Sequence, residues 1–348
     1  MPPNPQSRDP QPQDVEKTAP DTSEGQSNIL DYDLRLYRPP GGEFKNARKI
    51  QGLAHGALLD CELRAQGFPR LLIVVAGYKP SLWPITLQRL KTHVPPQTDI
   101  CVVAPGKHVP ELAAFCTAAG WSHLATRENR LSLAQNIAIE AHPTAKLIHK
   151  VDEDIVVSEG YCETLEAVLI HADRLGECDI GFVAPTLNVN GFSYRTFLKF
   201  IAPEMLDEFK RQFGDARTSC VRTAAWANPL AAQFLWEQIL PFDNTAARFR
   251  ARPVGYDVCP HRFSIGAMLF RRRIWDEIGG FSIASERELG IEEADLCAFC
   301  CDQARLMLVS HQTLAGHVGF FPQTAHMLRW IAEHPINQAL AAKPPAAS

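Results

Sequence analysis

Residues 147–157 read LIHKVDEDIVV, and the fold turns on how this stretch is taken. Leu147, Ile148 and Val151 are strand formers, and Ile155, Val156 and Val157 resume the apolar pattern just beyond. Between them lie three consecutive acids, Asp152, Glu153 and Asp154. Side chains alternate along an extended chain, so Asp152 and Asp154 are expected on one side. Glu153 points the other way and is expected to matter least. Two carboxylates converging at the end of a buried strand repel each other and are costly to desolvate. A divalent cation relieves both costs, and hard oxygen ligands suit magnesium or manganese. The alternative is a solvated acidic turn, and the surrounding chain has to decide.

Upstream, LLIVVAG (71–77) is a continuous apolar run ended by glycine, as in a strand buried on both faces. Tyr78, Lys79 and Pro80 follow as a loop, and Ser81 suits the N-cap of a helix through about residue 91, with Pro84 in its first turn. DICVVAPG (99–106) reads as a second buried strand, 110–119 as a helix stopped by Gly120, and 122–126 as a short strand. A helix over 129–141 places Leu133, Ile137 and Ala141 on its apolar face. Downstream come a helix over 158–175 and a strand over 180–186. This alternation predicts an α/β fold with a mostly parallel sheet flanked by helices on both faces. Ligands of such open sheets bind beyond the carboxyl ends of the strands. Gly77–Lys79, Ala104–Gly106 and Asp152–Asp154 all fall at that edge. Their convergence favours a metal site over a bare acidic turn.

Farther out the regularity breaks. Residues 188–262 hold amphipathic helices and a basic, turn-rich passage with Arg248, Arg250, Arg252, His261 and Arg262. This helical insertion is either an acceptor-side specificity block or a plain cover for the sheet. Order returns with FSIGAMLFRR, a strand in which Gly266 and Ala267 permit close approach. A helix from Arg273 to Ile278 runs into GGF, LGIEEADLCAFCCDQ is an acid-headed helix, and LMLVSHQTLAGHVG is a strand running into a loop with His311 and His317. Residues 1–28 have almost no large apolar side chains and are expected to be a disordered N-terminal tail. Residues 29–70 form a lead-in, weakly helical around 52–65, that packs on a main domain spanning 71–335. Residues 336–348 are a flexible C-terminal tail.

Composition narrows the class. With 46% hydrophobic and 21% charged residues over 348 positions, the chain has the balance of a soluble globular protein. A net charge of -4 gives no electrostatic ground for nucleic-acid binding. No apolar run is long enough to span a bilayer. The first 28 residues lack the apolar core of a secretory signal, so a cytoplasmic location is expected, with peripheral membrane association left open. The ten cysteines are scattered, as expected of reduced thiols used as small apolar residues. Cys297, Cys300 and Cys301 share a helical face and suit packing, because a zinc site would need a second ligand pair at comparable spacing.

Taken in order, VVAGYKP, ENRLSLAQNIAIEA, KVDEDIVV, the glycine-containing strand before GGF, GIEEADL and AGHVG resemble the nucleotide-sugar glycosyltransferases of the GT-A type. The similarity is strongest to the large family 2 group and covers about residues 71–320. It implies a GT-A (Rossmann-like) domain that transfers a sugar from a nucleotide diphosphate donor to a hydroxyl acceptor, a glycan or glycolipid among others, with inversion. It implies Mn2+ or Mg2+ as cofactor. Asp154 would be the direct metal ligand, Asp152 would lie near the ribose or the metal, and His317 would complete the site or touch the diphosphate. Glu293 would be the base, with Glu292 or Asp295 next. Ala76, Gly77, Tyr78, Lys79 and Arg130 would meet the nucleotide. The chain departs from the family in carrying Glu293 where Asp is usual. It also has Ala104-Pro105-Gly106 where an acid is frequent, which leaves uridine only as the default base. A sugar-1-phosphate nucleotidyltransferase shares this sheet type but would need a Gly-rich loop with Arg and Lys after the first strand, unlike AGYKPSLW. A catalytically silent relative that binds a nucleotide sugar or a protein partner is the other alternative. Retention of Asp152, Asp154, the acid pair and His317 speaks against it.

Overall fold

The computed structural model describes residues 57–214, 217–218, 222–262, 265–283, 290–334 and 340, all within one compact unit. The expected tail 1–28, most of the lead-in and the tail 336–348, Leu340 excepted, lie outside these residues.

The chain begins with β1 (Leu58–Glu62), β2 (Arg70–Val75), a 3-10 turn at Pro80–Leu82 and α1 (Trp83–His93). The alternation continues through β3 (Asp99–Ala104), α2 (Pro110–Ala119), β4 (Ser122–Thr126), α3 (Leu131–Ala141) and β5 (Leu147–Asp152). Next come the short β6 (Ile155–Val156), α4 (Tyr161–Leu175) and β7 (Ile180–Leu187). The insertion contributes α5 (Tyr194–Ile201), α6 (Pro203–Phe213), α7 (Ala224–Ala227), α8 (Pro229–Ile239), α9 (Phe242–Arg250) and β8 (Tyr256–Val258). The chain closes with β9 (Ala267–Arg271), α10 (Arg272–Ile278), α11 (Ile291–Asp302), β10 (Leu306–His317) and α12 (Phe321–Glu333).

These strands form one mixed sheet in the order β1-β4-β3-β2-β5-β9-β7-β10-β6, with β8 on β10. Strands β4, β3, β2, β5, β7 and β10 share a direction, while β9 lies antiparallel between β5 and β7. The expected mostly parallel α/β sheet is therefore observed. The parallel strands are apolar on both faces because helices cover both faces. Leu133, Ile137, Ile274 and Leu296 from α3, α10 and α11 pack on one side, and Leu87, Leu112, Leu165 and Val168 from α1, α2 and α4 on the other. Truncating one such fully buried leucine to alanine would cost about 2–5 kcal/mol. Gly120 ends α2 in the left-handed conformation, φ 73°, as its position predicts.

Two local expectations are corrected. The weak helical period of 52–65 gives way to β1, an edge strand antiparallel to β4. An edge strand needs only one buried face, so its apolar pattern is thin and tertiary pairing overrides propensity. Ser81 does not cap α1. It lies in the 3-10 turn, and Leu82 takes the N-cap position without a side-chain bond. The insertion helices pack around Trp236, Phe197, Phe209 and Phe249 in a core that they share with Val156 of β6, Leu314 of β10 and Met327 of α12. The cysteine reading holds for Cys297 and Cys300, which are buried, with Cys300 packed against Gly181, but not for Cys301, which is exposed. Among the described residues no helix is long and apolar enough to cross a membrane.

Candidate active site

The parallel register brings several chain segments to one edge. Val75 at the end of β2 pairs with Asp152 at the end of β5, so the 77–79 loop and the acidic turn leave the sheet side by side. Val151 pairs with Ala267, so the start of antiparallel β9 lies at the same edge. The end of β10 reaches it too, because Gly316 and His317 pair with β6 directly after the turn. Gly266 permits the crowding: its carbonyl accepts the Asp152 N–H at 2.8 Å, and a Cβ there would meet Ile155 at 2.9 Å.

The strand stops at Asp152, and residues 153–154 form a turn. Strict alternation therefore fails, and the three acids face three different partners. Asp152 accepts from the Lys150 ammonium at 2.8 Å. Glu153 accepts from the N–H groups of Gly77 and Tyr78, at 2.9 and 2.8 Å, and from the Trp83 indole at 2.7 Å. Asp154 pairs with the Lys79 ammonium, and its Oδ2 lies 3.6 Å from His317 Nε2. The expected trio of metal ligands, Asp152, Asp154 and His317, is thus split, with Asp154 and His317 together and Asp152 turned to Lys150. Glu153, expected to matter least, ties the first loop to the acidic turn.

The Lys150 cluster is deeply buried. Its ammonium lies 3.5 Å from Glu293 and 4.0 Å from Glu292, with a hydrogen bond to the Ile265 carbonyl at 3.1 Å. Burial would push the ammonium down, but Asp152, Glu293 and Glu292 together more than reverse this and keep it charged. Burial pushes the Glu293 and Glu292 carboxyls up from the ordinary glutamate range, with Lys150 offsetting only part of the shift. Asp152 is raised for the same reason. On the other side, burial would raise Asp154, but Lys79 and His317 overcome it and hold the carboxyl well below its usual range.

His317 is positioned by the insertion. Its ring Nδ1 lies 2.7 Å from the Val189 carbonyl, its N–H donates to Asn188 at 2.9 Å, and the Trp236 indole donates to its carbonyl at 2.7 Å. The Val189 contact engages Nδ1 and turns Nε2 toward the Asp154 carboxylate, 3.6 Å away, where a proton on Nε2 favours the ionised carboxylate. With that proton removed, the two facing acceptors are stabilised by a cation between them. A carboxylate oxygen beside an imidazole nitrogen is a donor set that a divalent metal ion can use. The pair therefore fits a divalent ion. Lys79, a cationic group already on Asp154, marks where positive charge is held.

The remaining sequence candidates separate. Glu292 and Glu293 open α11 and face Lys150, but Asp295 accepts the Ser282 N–H at 2.7 Å and serves the turn after α10. Arg130 pairs with Glu128 at 2.7 Å and donates to the Ile283 carbonyl at 3.1 Å, which holds it at the start of α3. Ala76 is buried, with its N–H on the Val103 carbonyl at 2.9 Å. The amides of Gly77 and Tyr78 are engaged by Glu153, so this loop presents the exposed Tyr78 ring and the Lys79 ammonium. Sequence reasoning missed Lys150, although period-two alternation already puts it on the side of Asp152. It also missed Trp83, Asn188 and Trp236, which only the packing reveals.

No family model matches the chain, and no curated protein does either. Solved structures similar to it include the mannosyltransferase PcManGT from Pyrobaculum calidifontis in complex with GDP-Man and Mn2+. The identity is 13%, the coverage 86% of this chain and 77% of that one, and the TM-score 0.41. GalNAc-T7 with UDP, GalNAc and Mn2+ is similar at 11% identity over 77% of this chain and 48% of its own, with a TM-score of 0.43. Residues 1–349 of S. aureus TarS are similar at 8% identity and a TM-score of 0.41, with 64% of that chain covered. The longer TarS chain is covered over only 21% of its length. Likeness at this level assigns no residue a role, and the roles below come from this chain's own geometry.

Proposed function

We propose that this chain is a glycosyltransferase that moves a sugar from a nucleotide diphosphate donor to a hydroxyl acceptor, with a divalent cation, Mn2+ or Mg2+, as cofactor. The observation that carries the reading is the pairing of two unlike clusters at one sheet edge. A carboxylate–imidazole pair, Asp154 and His317, lies at the same edge as a buried carboxyl, Glu293, whose proton affinity is raised toward neutrality. Glycosyl transfer needs both. Negative charge grows on the departing diphosphate while a proton leaves the attacking hydroxyl.

The Tyr78 ring offers a stacking face for a nucleotide base, and Lys79 supplies a positive charge to the diphosphate. Asp154 and His317 would hold the cation, which would stabilise the charge developing on the leaving group. Glu293 takes the acceptor proton, and its elevated pKa suits a base that works near neutral pH. Lys150 holds Glu293 and Asp152 in register and keeps the paired acids from repelling each other. Direct attack by the activated hydroxyl inverts the anomeric centre. The acceptor, a glycan, a glycolipid or another hydroxyl compound, would enter beside the insertion, whose buried Val189 and Trp236 support His317 from behind. Incubation with a panel of UDP- and GDP-sugars and manganese tests the reading. Release of nucleoside diphosphate with at least one donor is expected, and its absence across the panel would refute the proposal.

A further inference from the structure

A second cluster lies at the far edge of the sheet, outside the acidic turn. Asp60 on β1, His123 on β4 and His108 in the loop after β3 each offer one ligand atom, and these atoms lie within 4.8 Å of one another. Both imidazoles address the same carboxylate oxygen: His123 Nδ1 is 3.0 Å and His108 Nδ1 is 3.4 Å from Asp60 Oδ2. We infer that Asp60, His108 and His123 form a zinc-type metal site that clips the edge strand β1 to the loop carrying His108.

The distances favour this reading. Two ligands each about 2.0–2.1 Å from a tetrahedral zinc lie about 3.3 Å apart, which matches both observed N···O separations. Two imidazoles and one carboxylate form a three-ligand set with an open fourth position, chemistry that suits zinc or a similar transition ion over magnesium or calcium. The rings are already oriented, 5.8 Å between centroids and nearly perpendicular, so binding would demand little rearrangement. His123 is fully buried, while His108 and Asp60 are 40% and 33% exposed, so the ion has an entry path from solvent.

The site connects to the candidate donor loop. Lys107, next to His108, places its ammonium 3.9 Å from the centroid of the Tyr78 ring, and its Cε packs on Gly77. The Tyr78 hydroxyl in turn donates to the Pro105 carbonyl at 2.7 Å. An ion held by His108 would therefore fix the segment on which Tyr78 rests.

The test uses the full chain carrying Asp154→Ala, so that the acidic turn does not contribute metal. After chelation and reloading with Zn2+, this parent should retain about one zinc per chain through gel filtration. With Co2+ it should show the visible absorption of a four-coordinate ion. His108→Ala, a change on an exposed loop, should lower zinc affinity by more than about tenfold and abolish the cobalt spectrum while the chain stays folded. Asp60→Asn should do the same. Zinc should raise the melting temperature of the parent and not of either variant. Equal zinc retention by parent and His108→Ala, or no retention by the parent, would overturn the inference and leave a hydrogen-bonded His–Asp–His trio.

Discussion

Two lysines face the acidic turn, and they are held differently. The Lys150 side chain is 2% exposed and sits among Asp152, Glu292 and Glu293, while Lys79 is 24% exposed on a loop and meets Asp154. A buried ammonium among carboxylates cannot leave without stranding them, so Lys150 is a permanent counter-charge. A partly exposed ammonium on a loop can exchange partners once a cation takes its place on the buried Asp154 carboxylate, so Lys79 can pass from Asp154 to an anionic ligand. The contrast divides the site into a fixed frame that prepares the base and an exchangeable part that receives the donor.

The largest expected effect lies in the fixed frame. Glu293→Gln should leave nucleotide binding intact while transfer falls by roughly 10²–10⁴-fold, read as kcat at saturating donor. Normal turnover in this variant would place the base elsewhere. The pH profile sharpens the assignment. The base acts only when ionised, and burial raises its pKa, so kcat/KM should rise with pH along a limb above the ordinary glutamate range. A limb at the ordinary glutamate value would contradict a buried base.

Lys150→Met should follow, destabilising the fold by about 3–5 kcal/mol because it strands buried carboxylates, measured by denaturant unfolding. A loss confined to activity would mean that Lys150 is not the structural counter-charge. Lys79→Met should do the reverse. Folding should be nearly unchanged in the presence of manganese, and nucleoside diphosphate affinity should weaken by about 10–100-fold, the value of a hydrogen bond to a charged group. Isothermal titration separates the two outcomes. The smallest effect is expected at Gly316→Ala. A Cβ there would meet the Trp236 ring at 2.5 Å, and overpacking of this kind costs about 1–3 kcal/mol. Because Trp236 also holds the His317 carbonyl, manganese affinity should fall together with stability. Unchanged metal affinity would detach the insertion from the site.

The same contrast marks what the sequence could reveal. Strands β2 and β3 and helix α2 with its Gly120 stop were legible because each signals itself locally, through an apolar run or a stop glycine. The pairing of Glu292 with Glu293 at a helix start was legible for the same reason. The partners of the three acids were not. Alternation placed Asp152 and Asp154 together, but the strand ends at Asp152 and the turn rotates Asp154 toward Lys79 and His317. Glu153 was discounted because its three donors come from residues 77–83, about seventy positions away. Asp295 resembled its acidic neighbours in sequence, and only the position of the Ser282 N–H separates it from them. Strand β1 was hidden because an edge strand needs few apolar residues, and the role of Trp236 follows from a contact across the insertion.

The most direct test of the account is a thermal-unfolding titration of the full chain with UDP and GDP, each with and without manganese, in wild type and Asp154→Ala. At about 100 times its Kd, a nucleotide that binds only the folded chain adds about 2.7 kcal/mol of stability. At least one nucleotide should therefore raise the melting temperature of the wild type with manganese present and much less without it, and Asp154→Ala should lose the manganese-dependent part. A wild type that no nucleotide stabilises, or a manganese-dependent shift that survives Asp154→Ala in full, would contradict the proposed site.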